Sequence, residues 1–462
     1  MSTNSIDIRT LQEPSAPESQ FQKIADLNYP VWLDSSNALS NSEENRYHIL
    51  SALPDQQIII ETASSTNASL AYQKAAEMLE RLPKRNAMPN IPFQGGLIGY
   101  LSYDLGAVNL GIEQPEEPMI PVAFFGLYLW ALIIDNLNQS QQLVFHPECD
   151  PETKRLVLSR FTNSAKDRNT KRRFALTSPF SSTTDKAAYK SALSKIDDYI
   201  HAGDVYQANY AQHFLAPYCG DTLEAYLQLR KQAPAPYSAY IKLGDRALLC
   251  HSPEQFLEIK GRHVRTKPIK GTAPRSGDTQ LDRRNAEVLL ASEKDRSENL
   301  MIVDLMRNDL GKHCTPGSIQ VSKLFELKSY SNVHHLVSEI VGELSDKSTA
   351  LDLLSDSLPS GSITGAPKKR AVEIINELES HQRSFYCGNL GYASLCGNID
   401  FNVGIRSMVA DGEHIHCWGG GGIVADSNSE KEYQETLHKV GGLMSELEDH
   451  FLKRLSQDLN SA

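Results

Sequence analysis

The sequence predicts an α+β fold whose sheets are largely antiparallel, and three observations lead there. Short extended runs follow one another through tight turns: in GNLGYASLCGNIDFNVGIRSMVADGEHIHCWGGGG, residues 388–422, CGN and ADGE leave room only for hairpin connections, which pair strands antiparallel. Segments such as ASLAYQKAAEMLERL and KKRAVEIINELE repeat apolar residues at helical spacing. The fingerprints of a doubly wound nucleotide fold are missing, since no GxGxxG opens a helix and SITGAPKKR breaks the order of a phosphate-binding P-loop.

The elements justify themselves in chain order. Residues 1–150 mix extended runs (QIIIETA, LYLWALII, QQLVFH) with one helical segment, the α+β signature of an N-terminal region. Residues 151–186 turn polar and punctuated and are expected to form a connector over the surface. Residues 187–446 alternate helices with hairpins and form the expected catalytic region, and 447–462 close the chain as a helix end. At 462 residues this is one large unit or two intimately packed ones.

Composition narrows the function. A net charge of -11 argues against a nucleic-acid partner and favours small molecules. The N-terminus lacks the apolar core of a secretory signal. The longest apolar stretch, VAFFGLYLWALII (122–134), is too short for a membrane span. A cytoplasmic location and no membrane partner are therefore expected. Seven scattered cysteines without CxxC or Cys/His ligand spacing read as reduced thiols.

Several groups are candidates for chemistry. Asp295 with Glu298, and Glu432 with Glu435, are spaced by three on predicted helices, so each pair shares a face. Two readings fit them: solvated helix ends with salt bridges, or oxygen ligands of Mg²⁺, which takes one or two carboxylates and keeps several waters. The run Gly419–Gly422 either is a plain turn or brings bare backbone N–H groups to an anion such as a carboxylate. Arg406, on an expected alternating strand with Gly404 and Met408 on its face, either is exposed or meets a carboxylate bidentately. His335 fits a core histidine or a site residue, and Glu254 fits a turn or a site. Lys270 stands between isoleucine and glycine in KPIKGTAPR, an unusual setting for a surface lysine.

Taken together, SPEQF, PIKGTAPR, DRSENLMIVDLMRNDLG, VHHLVS, GSITGAPKKRA, GYAS, IR and GGGIVADSNSEKEYQET resemble, in this order, the chorismate-utilising enzymes, with FQGGLIGYLSYDLG extending the likeness into the N-terminal half. The resemblance implies two large antiparallel β-sheets forming a sandwich with helices outside, the N-terminal region packed on the same sandwich, and one active site between the sheets. It implies Mg²⁺ held by Glu298 and Glu435, supported by Asp295 and Glu432, against the ring carboxylate of chorismate. Arg406, Tyr386, Lys439, Ser362 and the amides of Gly420, Gly421 and Gly422 would bind the substrate, which carries two carboxylates.

Two positions choose among the family's reactions. Members that add water place a lysine base where this chain has Gln207, and a glutamine cannot deprotonate water. Members that add ammonia ortho to the ring carboxylate have alanine where this chain has Lys270; PIKGT is the form of the para-aminating members. A neutral amine there attacks C2 as the C4 hydroxyl leaves, and ammonia then adds at C4 and expels the lysine. Glu254 would protonate the departing hydroxyl and later act as a base for ammonia, His335 would hydrogen-bond the substrate near the leaving group, and Thr272 would face the ring. The expected product is 4-amino-4-deoxychorismate, on the way to 4-aminobenzoate and folate, by an amino transfer. No cysteine has a glutaminase setting, so ammonia is expected from a separate glutamine amidotransferase subunit in a heterodimer. An ortho-aminating enzyme and a catalytically silent chorismate- or tryptophan-binding regulatory subunit are the alternatives. YPVWLDSS, with APAPYSAY (233–240), stands where relatives bind tryptophan, so a pocket lined by Ser36, Arg46, Tyr47, Pro236, Tyr237 and Ser238 is expected.

Overall fold

Runs rich in β-branched and aromatic residues, such as QQIII (Gln56–Ile60), AFFGLY (Ala123–Tyr128) and WALIID (Trp130–Asp135), suit a pleated, buried surface. In the computed structural model, which describes residues 5–36, 46–115, 117–162, 173–330 and 333–452, such runs form two antiparallel sheets of 13 and 10 strands. The larger begins at Asp7–Thr10 and passes through Trp130–Asp135, Val31–Asp34, Tyr237–Leu243, Arg246–Ser252 and His414–Ile423 to Gln207–Cys219 and Ser181–Ser182. The smaller begins at Ile269–Pro274 and passes through Val333–Glu343, Gln255–Lys260, Ile399–Asn402, Asn389–Ser394 and Gly96–Leu101 to Gln56–Ile60.

One apolar core joins the sheets: Trp32, Leu50 and Leu132 come from the larger, Leu97, Phe125 and Phe401 from the smaller. Burial of this kind contributes about 25 cal/mol per Å² of apolar surface. A second cluster pins the helices Lys186–His201 and Lys368–Leu378 to the strand Gln207–Cys219 through Tyr189, Leu193, Ile196 and Ile374. Strands from both sides of the polar connector enter both sheets. The connector itself carries a helix, Pro151–Thr162, whose Val157 and Phe161 are buried, with Phe161 edge-on to Trp130. Residues 1–4 of the lead-in, 163–172 of the connector and 453–462 of the C-terminal end lie outside the described residues.

What the sequence did not disclose is where the chain changes sheets. The apolar stretch 122–134 is two strands, not one: Ala123–Tyr128 belongs to the smaller sheet and Trp130–Asp135 to the larger, with the switch at Leu129. The chain switches again at Pro253–Glu254, between Arg246–Ser252 and Gln255–Lys260, and at 403–406, between Ile399–Asn402 and Ser407–Ala410. Arg406 therefore does not lie on an alternating strand. It occupies a kink with φ of 50°, an uncommon conformation for a residue with a side chain, and Gly404 and Met408 share no strand face with it. The two later switches are tied together, since Ser252 Oγ donates to Val403 O at 2.6 Å and the Val403 amide donates to Glu254 O at 3.1 Å.

Candidate active site

These tied crossovers bring Glu254 and Arg406 to one cleft between the sheets. Glu254 is buried beside the Ser362 hydroxyl, the Ile269 amide and Lys270. Burial, the largest influence, raises its carboxyl to about 7 despite those partners. Lys270 sits on Ile269–Pro274, an end strand of the smaller sheet. Burial pushes its amine down, opposed first by Glu298, while Lys439 adds to the lowering and Glu254 and Glu435 oppose it. The next residue must be glycine. Gly271 has φ of +85°, and a Cβ there would come within 3.0 Å of Asp295, so the missing side chain lets the acidic helix approach the lysine strand.

That helix, Glu293–Gly311, starts at Ser292, whose Oγ accepts from the Asp295 amide at 3.2 Å. Its inner face carries Ile302 and Val303 into the core, although Leu300 stays 48 % exposed. Buried Asn299 accepts from Ser338 Oγ at 2.5 Å and so fastens the helix to the strand bearing His335. The facing helix, Ser429–Leu447, is capped by Asn428. Asp295 and Glu432 fall in the first turns of the two helices, where the macrodipole favours negative charge, and Glu298 and Glu435 follow one turn on. Burial raises the Glu298 carboxyl. Burial pushes Glu435 in the same direction, but Lys439, 2.7 Å away, outweighs it.

The remaining walls come from the larger sheet. Pairing between Ser407–Ala410 and His414–Ile423 stops at Met408 opposite Cys417. Beyond it, the edge of Gly419–Gly422 toward Arg406 has no paired strand among the described residues. The other edge pairs with Gln207–Cys219, placing Gly422 opposite Asn209 and Gly420 opposite Ala211. A Cβ on Gly420 would lie 2.7 Å from Tyr386 Oη and one on Gly422 2.2 Å from Gln207 Nε2, so both positions are packed against predicted site residues. Lys439 Nζ donates to Gly420 O at 2.9 Å. Tyr386 is stacked on Trp418 with centroids 6.1 Å apart. Thr272 and His335 oppose each other in register, with Thr272 Oγ1 2.9 Å from His335 Nδ1.

Three groups in this cleft lack protein partners among the described residues. Burial alone acts on the Arg406 guanidinium, which no carboxylate neutralises. His335 Nε2 and Gln207 Oε1 are buried without a hydrogen-bond partner. Burial, with Arg406 second, lowers His335 to about 3, so its ring is neutral. Buried polar groups are ordinarily paired; here a cation, a neutral imidazole and an amide oxygen await a polar, anionic ligand.

The structure thus brings together Lys270, Glu254, His335, Thr272, Gln207, Arg406, Tyr386, Lys439, Ser362, Gly420–Gly422 and the four acids. Sequence reasoning missed Lys294, which bridges Glu298 and Glu432, and Arg383, which donates to Asn209 and Glu379 and packs over Tyr386. Lys294 was visible as an i, i+4 partner of Glu298; Arg383 in QRSFY left no spacing signal. Of the expected tryptophan pocket, Tyr47, Pro236, Tyr237 and Ser238 line a hollow of about 120 Å³, tighter than ligand pockets of about 300–1,000 Å³. Ser36 and Arg46 are not in its lining: Ser36 Oγ donates to Ala235 O at 2.7 Å, and Arg46 pairs with Asp135 at 3.0 Å. A larger hollow of about 370 Å³ around Asn28, Asp55, Trp130 and Cys149 contains none of the cleft residues. No helix among the described residues is long and apolar enough to cross a membrane.

The sequence matches the chorismate binding enzymes over residues 31–445, and the chain belongs to that family. It is 40% identical over 464 aligned residues to aminodeoxychorismate synthase component 1 of Salmonella typhimurium, covering 97% of this chain and all of that one. It is 36% identical to anthranilate synthase component 1 of Thermus thermophilus, over 82% of this chain and 81% of that one. The solved structure of anthranilate synthase component I from Streptococcus pneumoniae superposes with a TM-score of 0.75 at 29% identity, covering 88% of this chain and 94% of that one.

Proposed function

We propose that this chain converts chorismate and ammonia to 4-amino-4-deoxychorismate, as the synthase component that works with a separate glutamine amidotransferase subunit. Identity to the two named kinds of relative differs by only 4 points (40% minus 36%), so the observation that carries the reading is Lys270: an amine lowered by burial, in the cleft with Glu254 and the two acidic helices. An alanine there, as in ortho-aminating members, would offer no nucleophile.

The chemistry follows from these groups. Neutral Lys270 Nζ bonds to C2 of the ring, the two ring double bonds shift, and the C4–O bond breaks as Glu254 gives its proton to the leaving hydroxyl, releasing water. Ammonia then bonds to C4, the double bonds shift back, and the C2–N bond breaks. Lys270 carries the charge of the adduct as a secondary ammonium and leaves as the neutral amine, while the ionised Glu254 takes the proton that ammonia sheds. Arg406, with no protein partner, suits one substrate carboxylate, and the unpaired edge of Gly419–Gly422 offers backbone donors to an anion. His335, neutral, donates or accepts only through Nε2, since Nδ1 is engaged by Thr272.

No three carboxylate, histidine or cysteine side chains are gathered as a ligand set among the described residues, but magnesium takes only one or two carboxylates and keeps several waters, and the acids of the facing helices already draw the Lys294 ammonium between them. Glu298 and Glu435 would hold it, with Glu432 and Asp295 behind them, and when bound it would supply positive charge to hold the ring carboxylate.

Incubating the purified chain with chorismate, Mg²⁺ and ammonium tests the reading by chromatography of the products. Aminodeoxychorismate supports it; anthranilate alone replaces it with ortho-amination; chorismate binding without turnover, even with the amidotransferase, leaves a regulatory subunit. Mass spectrometry after incubation without ammonia is expected to show an adduct on the Lys270 peptide.

A further inference from the structure

The acids on the two helices are not bare. Lys294 Nζ lies 3.4 Å from Glu432 Oε1 and 3.9 Å from Glu298 Oε1. Lys294 and Glu298 share the helix Glu293–Gly311, which packs on strands of the smaller sheet, whereas Glu432 belongs to the helix Ser429–Leu447, which packs on the larger. The lysine therefore spans the cleft. Its side chain is 52% exposed while those of Glu298 and Glu432 are 15% and 4% exposed, so the ammonium reaches inward from the solvent to carboxylates largely withdrawn from water.

We propose that Lys294 is the resident counter-cation of the metal site, tying the two acidic helices together when no metal is bound and giving way when a divalent cation enters. This rests on the magnesium reading above. Facing carboxylates in a partly buried cleft repel, and something positive must lie between them for the helices to stay close. An ammonium on a flexible four-carbon stem, half in water, is a weak and exchangeable partner. Magnesium carries twice its charge and draws carboxylate oxygens to about 2.0–2.1 Å. The lysine thus competes with the metal rather than binding it, and it lowers the metal affinity of the free protein.

The test uses the full chain and its Lys294→Met and Lys294→Gln variants, titrated with MgCl₂ by calorimetry at low ionic strength, with thermal midpoints in EDTA and in saturating Mg²⁺. Removing the competitor is expected to tighten Mg²⁺ binding by about fivefold. It should lower the midpoint in EDTA by a few degrees and leave the Mg²⁺-loaded midpoint at the wild-type value, a pattern that a merely structural lysine would not produce. Lys294→Arg should stay near wild type. Unchanged or weaker Mg²⁺ binding in variants whose loaded midpoint matches wild type overturns the inference alone. No Mg²⁺ binding by the wild-type chain overturns the metal reading and the inference with it. Should the Met variant not fold, the Gln variant decides in the same way.

Discussion

Two buried charged clusters in this molecule are built on opposite plans. Around Asp34, every charge has an answer: Arg230 Nε donates at 2.5 Å, Tyr226 Oη at 2.8 Å and the Ser36 amide at 2.7 Å, and His48 Nδ1 lies 2.9 Å away. Arg230 is also paired with Glu18 and lies over the Trp32 ring. Burial pushes the Asp34 carboxyl up, but His48 and Arg230 outweigh it and hold it far below the carboxylate range. In the cleft, His335 Nε2 and Gln207 Oε1 are as deeply buried and the half-buried Arg406 guanidinium lies beside them, all without a protein partner among the described residues. The charges of the first cluster are paired within it and hold the N-terminal strands to the helix Thr222–Gln232; the Arg406 charge in the second has no such partner among the described residues, which suits it to an anionic ligand. Burial of charge alone does not mark a site. What sets the cleft apart from the Asp34 cluster is a cation, Arg406, with no carboxylate to answer it among the described residues.

The contrast breaks if cleft variants behave like core variants. The largest expected effect is on chemistry: Lys270→Ala should lower turnover about 10³-fold, roughly 4 kcal/mol of barrier, with an unchanged unfolding midpoint, and full turnover in that variant would remove the nucleophile. Next, Asp34→Ala strands Arg230 in the core and should cost about 3 kcal/mol of stability in denaturant titrations, while chorismate binding by the folded fraction stays normal. Arg406→Met inverts that pattern: chorismate affinity should fall about 30-fold, roughly 2 kcal/mol, by calorimetry, with stability equal to or above wild type because a buried unpaired charge is gone. The smallest effect sharpens the comparison through its sign. The Glu254 carboxyl is raised to about 7, so the native state holds that proton more tightly. Its stabilisation is full below the unfolded carboxylate pKa and is lost as pH rises through 7. Asp34, lowered, contributes above the unfolded pKa and loses its contribution as pH falls. Unfolding measured from pH 5 to 8 should therefore show Glu254→Gln gaining on wild type as pH rises, and an equal slope in both proteins would contradict the raised carboxyl.

Much of the site was legible in the chain. Lys270, Glu254, the two acidic pairs and the glycine run stand in local patterns whose residue types already limit the chemistry, and helical spacing alone put each acidic pair on one face. Arg406 was legible as a residue and misread as a position, because a kink at positive φ leaves no trace in an alternating pattern. Lys294 went unnoticed since its partner across the cleft, Glu432, is 138 residues away. The connector's helix was hidden by its polar outer face; Val157 and Phe161 are buried and Leu158 packs half-buried against the core.

By itself, then, the sequence determined the element types, the antiparallel hairpins and the inventory of reactive groups, since these depend on contacts within a few residues. Only the tertiary structure decided that the chain crosses between sheets at 253–254 and 403–406, that this delivers Glu254 and Arg406 to Lys270, and that some buried groups are answered while others are not. Strand pairing across hundreds of residues is set by which faces bury together, and whether a charge has a partner is a fact about its neighbours in space.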